Sequence, residues 1–196
     1  MIELEPPFRI ATEADAPQLA ELVNIAGEGL PLHLWQGMAG EAEDPWKIGR
    51  ARQLAKTKES QIIVADFGNG AVASLTGYGI GAEPEPILAD LSPILRPLLE
   101  LENLALDSWY VNVLASFPDH RGKGLGSSLL NLAEQIALEE GLQRMSVVVA
   151  DDNQGARRLY ERFGFHEFAS RPCFAGTWET RTKNWVLLLK SPKGAT

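Results

Sequence analysis

Apolar positions along this chain switch between two periods, and the switches predict an order of elements. "FRIAT" near the start alternates like a short strand. "TEADAPQLAELVNIAG" then carries apolar residues at helical spacing, with Thr12 placed as N-cap and Gly27 as terminator. From Leu30 to Thr57 the pattern is helical in its second half only. "QIIVADF" and "AVASLTGYGI" read as two strands joined by "GNG", a hairpin signal. The proline-studded stretch "GAEPEPILADLSPILRP", Gly81 to Pro97, reads as an inserted loop with a short helix after it.

The second half is more regular. "SWYVNVLASF" reads as a strand, and the helix after it puts Leu125, Leu129, Leu132, Ala133 and Ile136 on one face before Gly141 stops it. "RMSVVVA" is a continuous apolar run, typical of a strand covered on both faces. Asp152 or Asn153 caps "NQGARRLYERFGF", whose inner face is Leu159 and Phe163 and whose terminator is Gly164. "HEFASR" and "NWVLLLK" supply a final antiparallel pair. Strand, helix and strand, with a loop at the first strand's C-terminal end, make a parallel unit, and open α/β sheets bind ligands at such ends.

Composition narrows the classes. A chain of 196 residues with 45% hydrophobic content is expected to form one soluble domain, 1–196. No apolar run approaches a membrane span, and the acidic opening lacks the order of a signal peptide, so a cytoplasmic location is expected. Cys173 is the sole cysteine, which excludes an internal disulfide and leaves no cysteine-based zinc cluster; with three scattered histidines, no metal is expected. The net charge of -8 argues against nucleic-acid binding. Most of it sits between Ile10 and Trp46, where seven acids occur with no Lys or Arg.

Against that background "FPDHRGKGLGSSLL", Phe117 to Leu130, is a small cationic island with glycines at 122, 124 and 126. Glycine and cation alternating at a helix start suit an anion, because free N–H groups and the positive end of the helix dipole converge there. Neither familiar phosphate loop fits the spacing. A Walker A loop needs G-x-x-x-x-G-K-S/T, and a dinucleotide fingerprint needs its third glycine one residue later. A plain strand-to-helix turn is the bland alternative.

The loop, the "VVVADDN" strand and the Asn-x-x-Ala-x-x-x-Tyr-x-x-x-Gly-Phe helix, in that order, resemble the GNAT superfamily of acetyl-CoA-dependent N-acetyltransferases. Arg121, Gly122, Lys123, Gly124, Leu125 and Gly126 match that family's Arg/Gln-x-x-Gly-x-Gly/Ala loop, and the resemblance covers Asp107 to Phe168, about a third of the chain. It implies an α/β fold with a mixed, mostly antiparallel central sheet, a splayed parallel strand pair and flanking helices. It also implies acetyl-CoA as cosubstrate, an amine acceptor (small molecule or peptide) and direct attack in a ternary complex. By the match, Arg121 to Gly126 grip the coenzyme pyrophosphate and the main chain of Leu114, Ala115 and Ser116 runs along pantetheine. The Leu114 N–H polarises the thioester carbonyl. Asn153 matches a coenzyme contact, with a helix cap as its other role. Tyr160 matches a proton donor to the leaving sulfur, with a core aromatic as its other role.

The base is where this chain departs from the pattern. An alkylamine near pKa 10.4 must lose a proton at pH 7 against roughly 3.4 units, about 4.6 kcal/mol. Many relatives use a glutamate on the strand before the loop, whereas "SWYVNVLASF" offers Tyr110 and Asn112. A water chain polarised by Asn112, Glu100 or Glu102 is the expectation, with a solvated helix face as the bland reading of both glutamates. "EGLPLHLWQGMAGEAEDPW" falls where the family builds its acceptor site, and Trp35, Trp46 and Glu41 suit a cationic amine, against a partly buried acidic loop. A silent acyl-CoA sensor is the competing function. A nucleotide-binding regulator is a third reading, resting on the glycines alone, and a homodimer is left open.

Overall fold

The computed structural model describes residues 2–142 and 144–191. Seven strands form one mixed sheet, β1 Phe8–Ile10, β2 Ile63–Asp66, β3 Ala71–Ile80, β4 Ser108–Ser116, β5 Arg144–Ala150, β6 His166–Pro172 and β7 Asn184–Lys190, in the order β1-β2-β3-β4-β5-β7-β6. Six helices accompany them: α1 Ala16–Ala26, α2 Leu30–Met38, α3 Pro45–Glu59, α4 Arg96–Glu102, α5 Leu125–Glu139 and α6 Gln154–Arg162. The pairing is antiparallel except for β4 with β5, the parallel pair expected from the strand–helix–strand unit.

That parallel ladder is short. It joins Ser108–Tyr110 to Arg144–Ser146 and, among the described residues, goes no further, although β4 runs on to Ser116 and β5 to Ala150. Just beyond the two ends of β4, the Phe117 N–H donates to the Val72 carbonyl and the Asp107 N–H to the Gly81 carbonyl. The Tyr78 ring lies 5.4 Å from that of Tyr110.

The chain divides into two compact units. Residues 2–76 and 113–129 make one, with a core cluster of Ala11, Leu19, Ile62, Val64 and Ala71 under its helices. Its helix α2 corrects the expectation that the start of the 30–57 segment is irregular. Pro31 looks like a breaker in the sequence, but in the first helical turn its missing N–H has no partner to lose. Helix α3 packs closely on α2: a Cβ at Gly49 would come within 2.5 Å of the Trp35 ring. Thr12 does act as an N-cap, but of a 3-10 turn, Glu13–Asp15, that leads into α1. Arg9 ties β1 to this turn and to β2 through a two-pronged bond to Asp15, 2.8 Å on each side, and a 2.7 Å bond to Asp66.

Residues 77–112 and 130–191 make the other unit. Leu129 and Leu130 of α5, one at the end of each unit's share of the helix, are fully buried, and burying such a side chain contributes about 1.5–3 kcal/mol. Leu132 and Ile136, expected inward, are only half-buried, while Ala137 is fully buried. In α6 Tyr160 is the buried residue and Leu159 and Phe163 are half-buried, so the inner face is turned from the one expected. Lys190 on β7 lies 2.8 Å from Glu134 of α5 and 3.8 Å above the Phe163 ring, a buried cation with an acid on one side and an aromatic face on the other. The inserted segment 81–95 has no regular structure and is pinned by Asn103, whose amide bonds both the N–H and the C=O of Glu85 at 2.8 Å.

Arg9 generates a stability prediction. Its hydrogen bond holds the Asp15 carboxyl below the ordinary carboxylate range, against burial, so Asp15 stabilises the fold above the unfolded value near 3.9 and loses that contribution as pH falls through the lower folded value. Arg9→Gln is expected to cost about 1–2 kcal/mol at pH 7, a charged hydrogen bond discounted because a third of the Arg9 side chain is exposed. Urea titrations at pH 7 and pH 3 check this: the parent's advantage over the variant must shrink at the lower pH.

Candidate active site

Two groups of functional side chains take shape, one in each unit. The first is the glycine loop. After β4, Pro118 opens a single 3-10 turn, Pro118–His120, and the His120 ring stacks on Phe67 at 6.1 Å and 15°. Gly122 and Gly124 then take left-handed backbone at φ 73 and 84, which glycine adopts freely and, among the others, Asn and Asp most readily. Nothing lies within 4 Å of the place a Cβ would occupy at either glycine. Among the described residues the N–H groups of Gly122, Lys123 and Gly124 have no hydrogen-bond partner, and Leu125 opens α5, whose first-turn N–H groups are unpaired by geometry.

Arg121 and Lys123 are exposed beside this nest, and Arg121 Nε reaches back to the Ser116 carbonyl at 3.4 Å, a long and weak bond. The arrangement is chemically an anion cradle: open main-chain donors, two cations and a helix start. Leu114 and Ser116 lie half-buried on one face of β4 and Ala115 is buried on the other.

The second group surrounds Tyr110. Its hydroxyl is raised well above its ordinary value first by burial, then by Glu102, Tyr78 and Tyr160, while the Val148 N–H acts in the opposite sense. The Tyr78 ring lies 5.4 Å from that of Tyr110. Tyr78 donates a 2.8 Å hydrogen bond to Glu102. Burial, and the nearby carboxyl of Glu85, raise Glu102 above the usual glutamate value, with the Tyr78 hydroxyl pulling it back. Tyr160 is 4% exposed and packs edge to face with Phe165 at 5.4 Å, so its ring is a core element; burial raises its hydroxyl too. Among the described residues that hydroxyl has no hydrogen-bond partner. Asn112 is exposed, two residues along β4 from Tyr110 and on the same face.

Other expected residues have structural duties. Asn153, not Asp152, caps α6: its Oδ1 accepts the Ala156 N–H at 3.0 Å. Glu100 pairs with Arg171 at 3.0 Å, which engages one of the carboxylates expected to polarise a water chain. Trp35 is 4% exposed, its ring set on Gly49 and edge to face with half-buried Trp46 at 5.7 Å. Glu41 is exposed between α2 and α3. The acidic excess of the Ile10–Trp46 stretch is partly cancelled by cations just outside it, since Asp15 meets Arg9, Asp44 meets Arg50 and Glu13 meets Lys58. Sequence reasoning missed Tyr78 and Glu85. The available signal was "GYG", a large aromatic between two glycines in a strand, with Gly77 leaving room for Trp109 at a point where a Cβ would be 2.2 Å from its ring.

Fold and site together give a mixed α/β sheet with an anion cradle beyond the end of β4. The profile of the acetyltransferase (GNAT) family matches residues 32–165, and the chain belongs to that family. It is 28% identical over 149 residues to N-alpha-acetyltransferase 40 of Saccharomyces cerevisiae, a match covering 71% of this chain and 48% of that protein. The chain spans about half, or less, of the length of the curated relatives it matches. An N-acetyltransferase structure from Staphylococcus aureus Mu50 superposes with a TM-score of 0.63 at 13% identity, covering 95% of this chain and 98% of that one. A GNAT family acetyltransferase from Elizabethkingia anophelis with acetyl-CoA bound superposes with a TM-score of 0.58 at 14% identity, over 94% and 96% of the two chains. At such identities the likeness is one of fold.

The Asn153 cap yields a check on its structural share. Asn153→Ala is expected to lower stability by about 1 kcal/mol, and Asn153→Ser, which can still cap, by less. Denaturant midpoints of the three proteins measure it.

Proposed function

We propose that this chain transfers an acetyl group from acetyl-CoA to a cationic primary amine, by direct attack in a ternary complex. The observation that carries the reading is the row of unpartnered N–H groups from Gly122 to Gly124, running into the first turn of α5 beside Arg121 and Lys123. A pyrophosphate is the anion of matching length and charge for such a row. Family membership supports acetyl-CoA as its source, and so does the acetyl-CoA in the Elizabethkingia relative.

In this reading Arg121, Gly122, Lys123, Gly124, Leu125 and Gly126 hold the pyrophosphate, Ala115 and Ser116 offer main chain to pantetheine, and Asn153 touches the coenzyme while capping α6. The Leu114 N–H receives the developing oxyanion. Trp46 and Glu41 contact the acceptor, with Trp35 fixing the Trp46 ring from behind. Tyr160 steadies the departing thiolate. A phenol near 10 is already about 1.5 units, roughly 2 kcal/mol, too weak an acid to protonate a thiolate near 8.5 outright, and burial moves Tyr160 further from it. Tyr160 therefore acts by donating a hydrogen bond.

Calorimetry with acetyl-CoA tests the cradle. Gly124→Asp and Gly124→Asn both tolerate left-handed backbone and differ in one charge. The Asp variant is expected to bind at least about 100-fold more weakly, because like charges brought together cost several kcal/mol. The Asn variant should retain more of the affinity; equal affinity for parent and Asp variant would remove the pyrophosphate from this loop.

Free-thiol release with putrescine, spermidine, lysine and short peptides bearing free N-termini tests the transfer itself. Binding without turnover of any of them would favour a silent coenzyme sensor. In the same assay Tyr160→Phe is expected to slow turnover roughly ten- to 150-fold, the range of a hydrogen bond to a charged group, while coenzyme affinity holds. A parental rate, where chemistry limits, would make Tyr160 a core residue and nothing more.

A further inference from the structure

Glu102 is an anomaly among the acids of this chain. It is half-buried, yet among the described residues its carboxylate has no cation and one hydrogen bond, the 2.8 Å bond that Tyr78 donates to Oε2. Glu100, two residues away on the same helix, has Arg171, and the other withdrawn acids have partners of their own. Oε1 of Glu102 is left over. A second carboxyl, Glu85, is held nearby by the clamp of Asn103 on its main chain, so the inserted segment adds negative charge where burial already disfavours it. Two uncompensated carboxyls gathered with two aromatic rings, Tyr78 and Tyr110 at 5.4 Å, are a recognition pattern for an organic cation.

We propose that Glu102 seats the ammonium group of the acceptor and takes its proton, with Tyr78 orienting the carboxylate and Glu85 supplying the second negative charge. This rests on the acetyltransferase reading above. R–NH3+ gives one proton to Oε1 of Glu102, leaving R–NH2 and the carboxylic acid. The nitrogen lone pair then forms the C–N bond at the thioester carbon, and the C–S bond breaks with its electron pair on sulfur. The second proton shed by nitrogen neutralises the thiolate, while Glu102 returns its own to water. Each turnover thus yields the amide, free coenzyme A thiol and one solvent proton.

The test uses the full chain and whichever amine of the panel turns over fastest. Glu102→Gln is expected to lower kcat/KM by about 100-fold or more, the range of a positioned base, with KM for the amine raised, the acid limb of the pH profile gone and acetyl-CoA affinity unchanged. The groups facing Glu102 are Tyr78 from β3, Glu85 from the inserted loop and Tyr110 from β4, and they give the signs for two further variants. Tyr78→Phe removes a bond that favours the carboxylate, so the limb must move to higher pH. Glu85→Gln removes a like charge, so it must move to lower pH.

A purely structural Tyr78–Glu102 bond would change the melting temperature and leave the limb in place. Glu102→Gln within threefold of the parent, with the limb retained, overturns the proposal and leaves the acetyltransferase reading standing. If Glu102→Gln does not fold, a limb that fails to move in opposite directions in the other two variants overturns it equally. Parental acetyl-CoA binding without turnover of any amine removes both.

Discussion

A main-chain N–H or C=O taken from water must find a partner, and past Tyr110 strand β4 does not supply one from the sheet on its β5 side. Among the described residues the parallel ladder stops at Tyr110 opposite Ser146. Further along, among the described residues, the N–H groups of Gly122, Lys123 and Gly124 are also without partners, and the opening turn of α5 follows them. In the proposed reading a doubly charged anion accepts from these donors. The coenzyme is recognised mainly by backbone in this reading, which is why the side chains of Leu114, Ala115 and Ser116 carry so little chemistry.

What the sequence makes legible follows from the range of the interactions involved. The glycine loop is local: two left-handed backbones need two glycines, and the cations stand between them. The Asn153 cap acts over three residues. The strand order of the parallel unit follows from a crossover rule that depends on chirality alone. By contrast, Tyr78 and Glu102 are separated by 24 residues and a proline-rich insertion, so no pattern within either element announces their bond. The burial of Trp35 is hidden in the sequence for a similar reason, since it depends on a glycine in the next helix, Gly49. Helix α2 holds Pro31 in its first turn, where proline fits a helix, and only the position of the helix start makes that visible.

The charge pattern shows how a window along a sequence misleads. Counted between Ile10 and Trp46, the acids look like a surface field for a cationic substrate. Folded, Arg9, Arg50 and Lys58 reach in from just beyond the window and engage three of the seven. Half-exposed pairs of this kind contribute little stability, yet they remove much of the local field. Negative charge outside that window counts too: among the described residues Glu85 and Glu102 have two phenols for company and no Lys or Arg.

The two neighbouring glutamates of α4 show how geometry assigns that difference. Positions i and i+2 of a helix do not share a face, so Glu100 reaches Arg171 while Glu102 points to Tyr78. Around Glu102 stand Tyr78, Tyr110 and, through Tyr110, Tyr160, and burial raises all three phenols above their ordinary value. Each is therefore protonated near neutral pH and a reluctant acid, fit to donate a hydrogen bond and unfit to accept a proton from an ammonium ion. In the proposed reaction, proton acceptance falls to the carboxylate and hydrogen-bond donation to the phenols. Both assignments draw on the same burial, which makes a carboxylate a better base and a phenol a weaker acid.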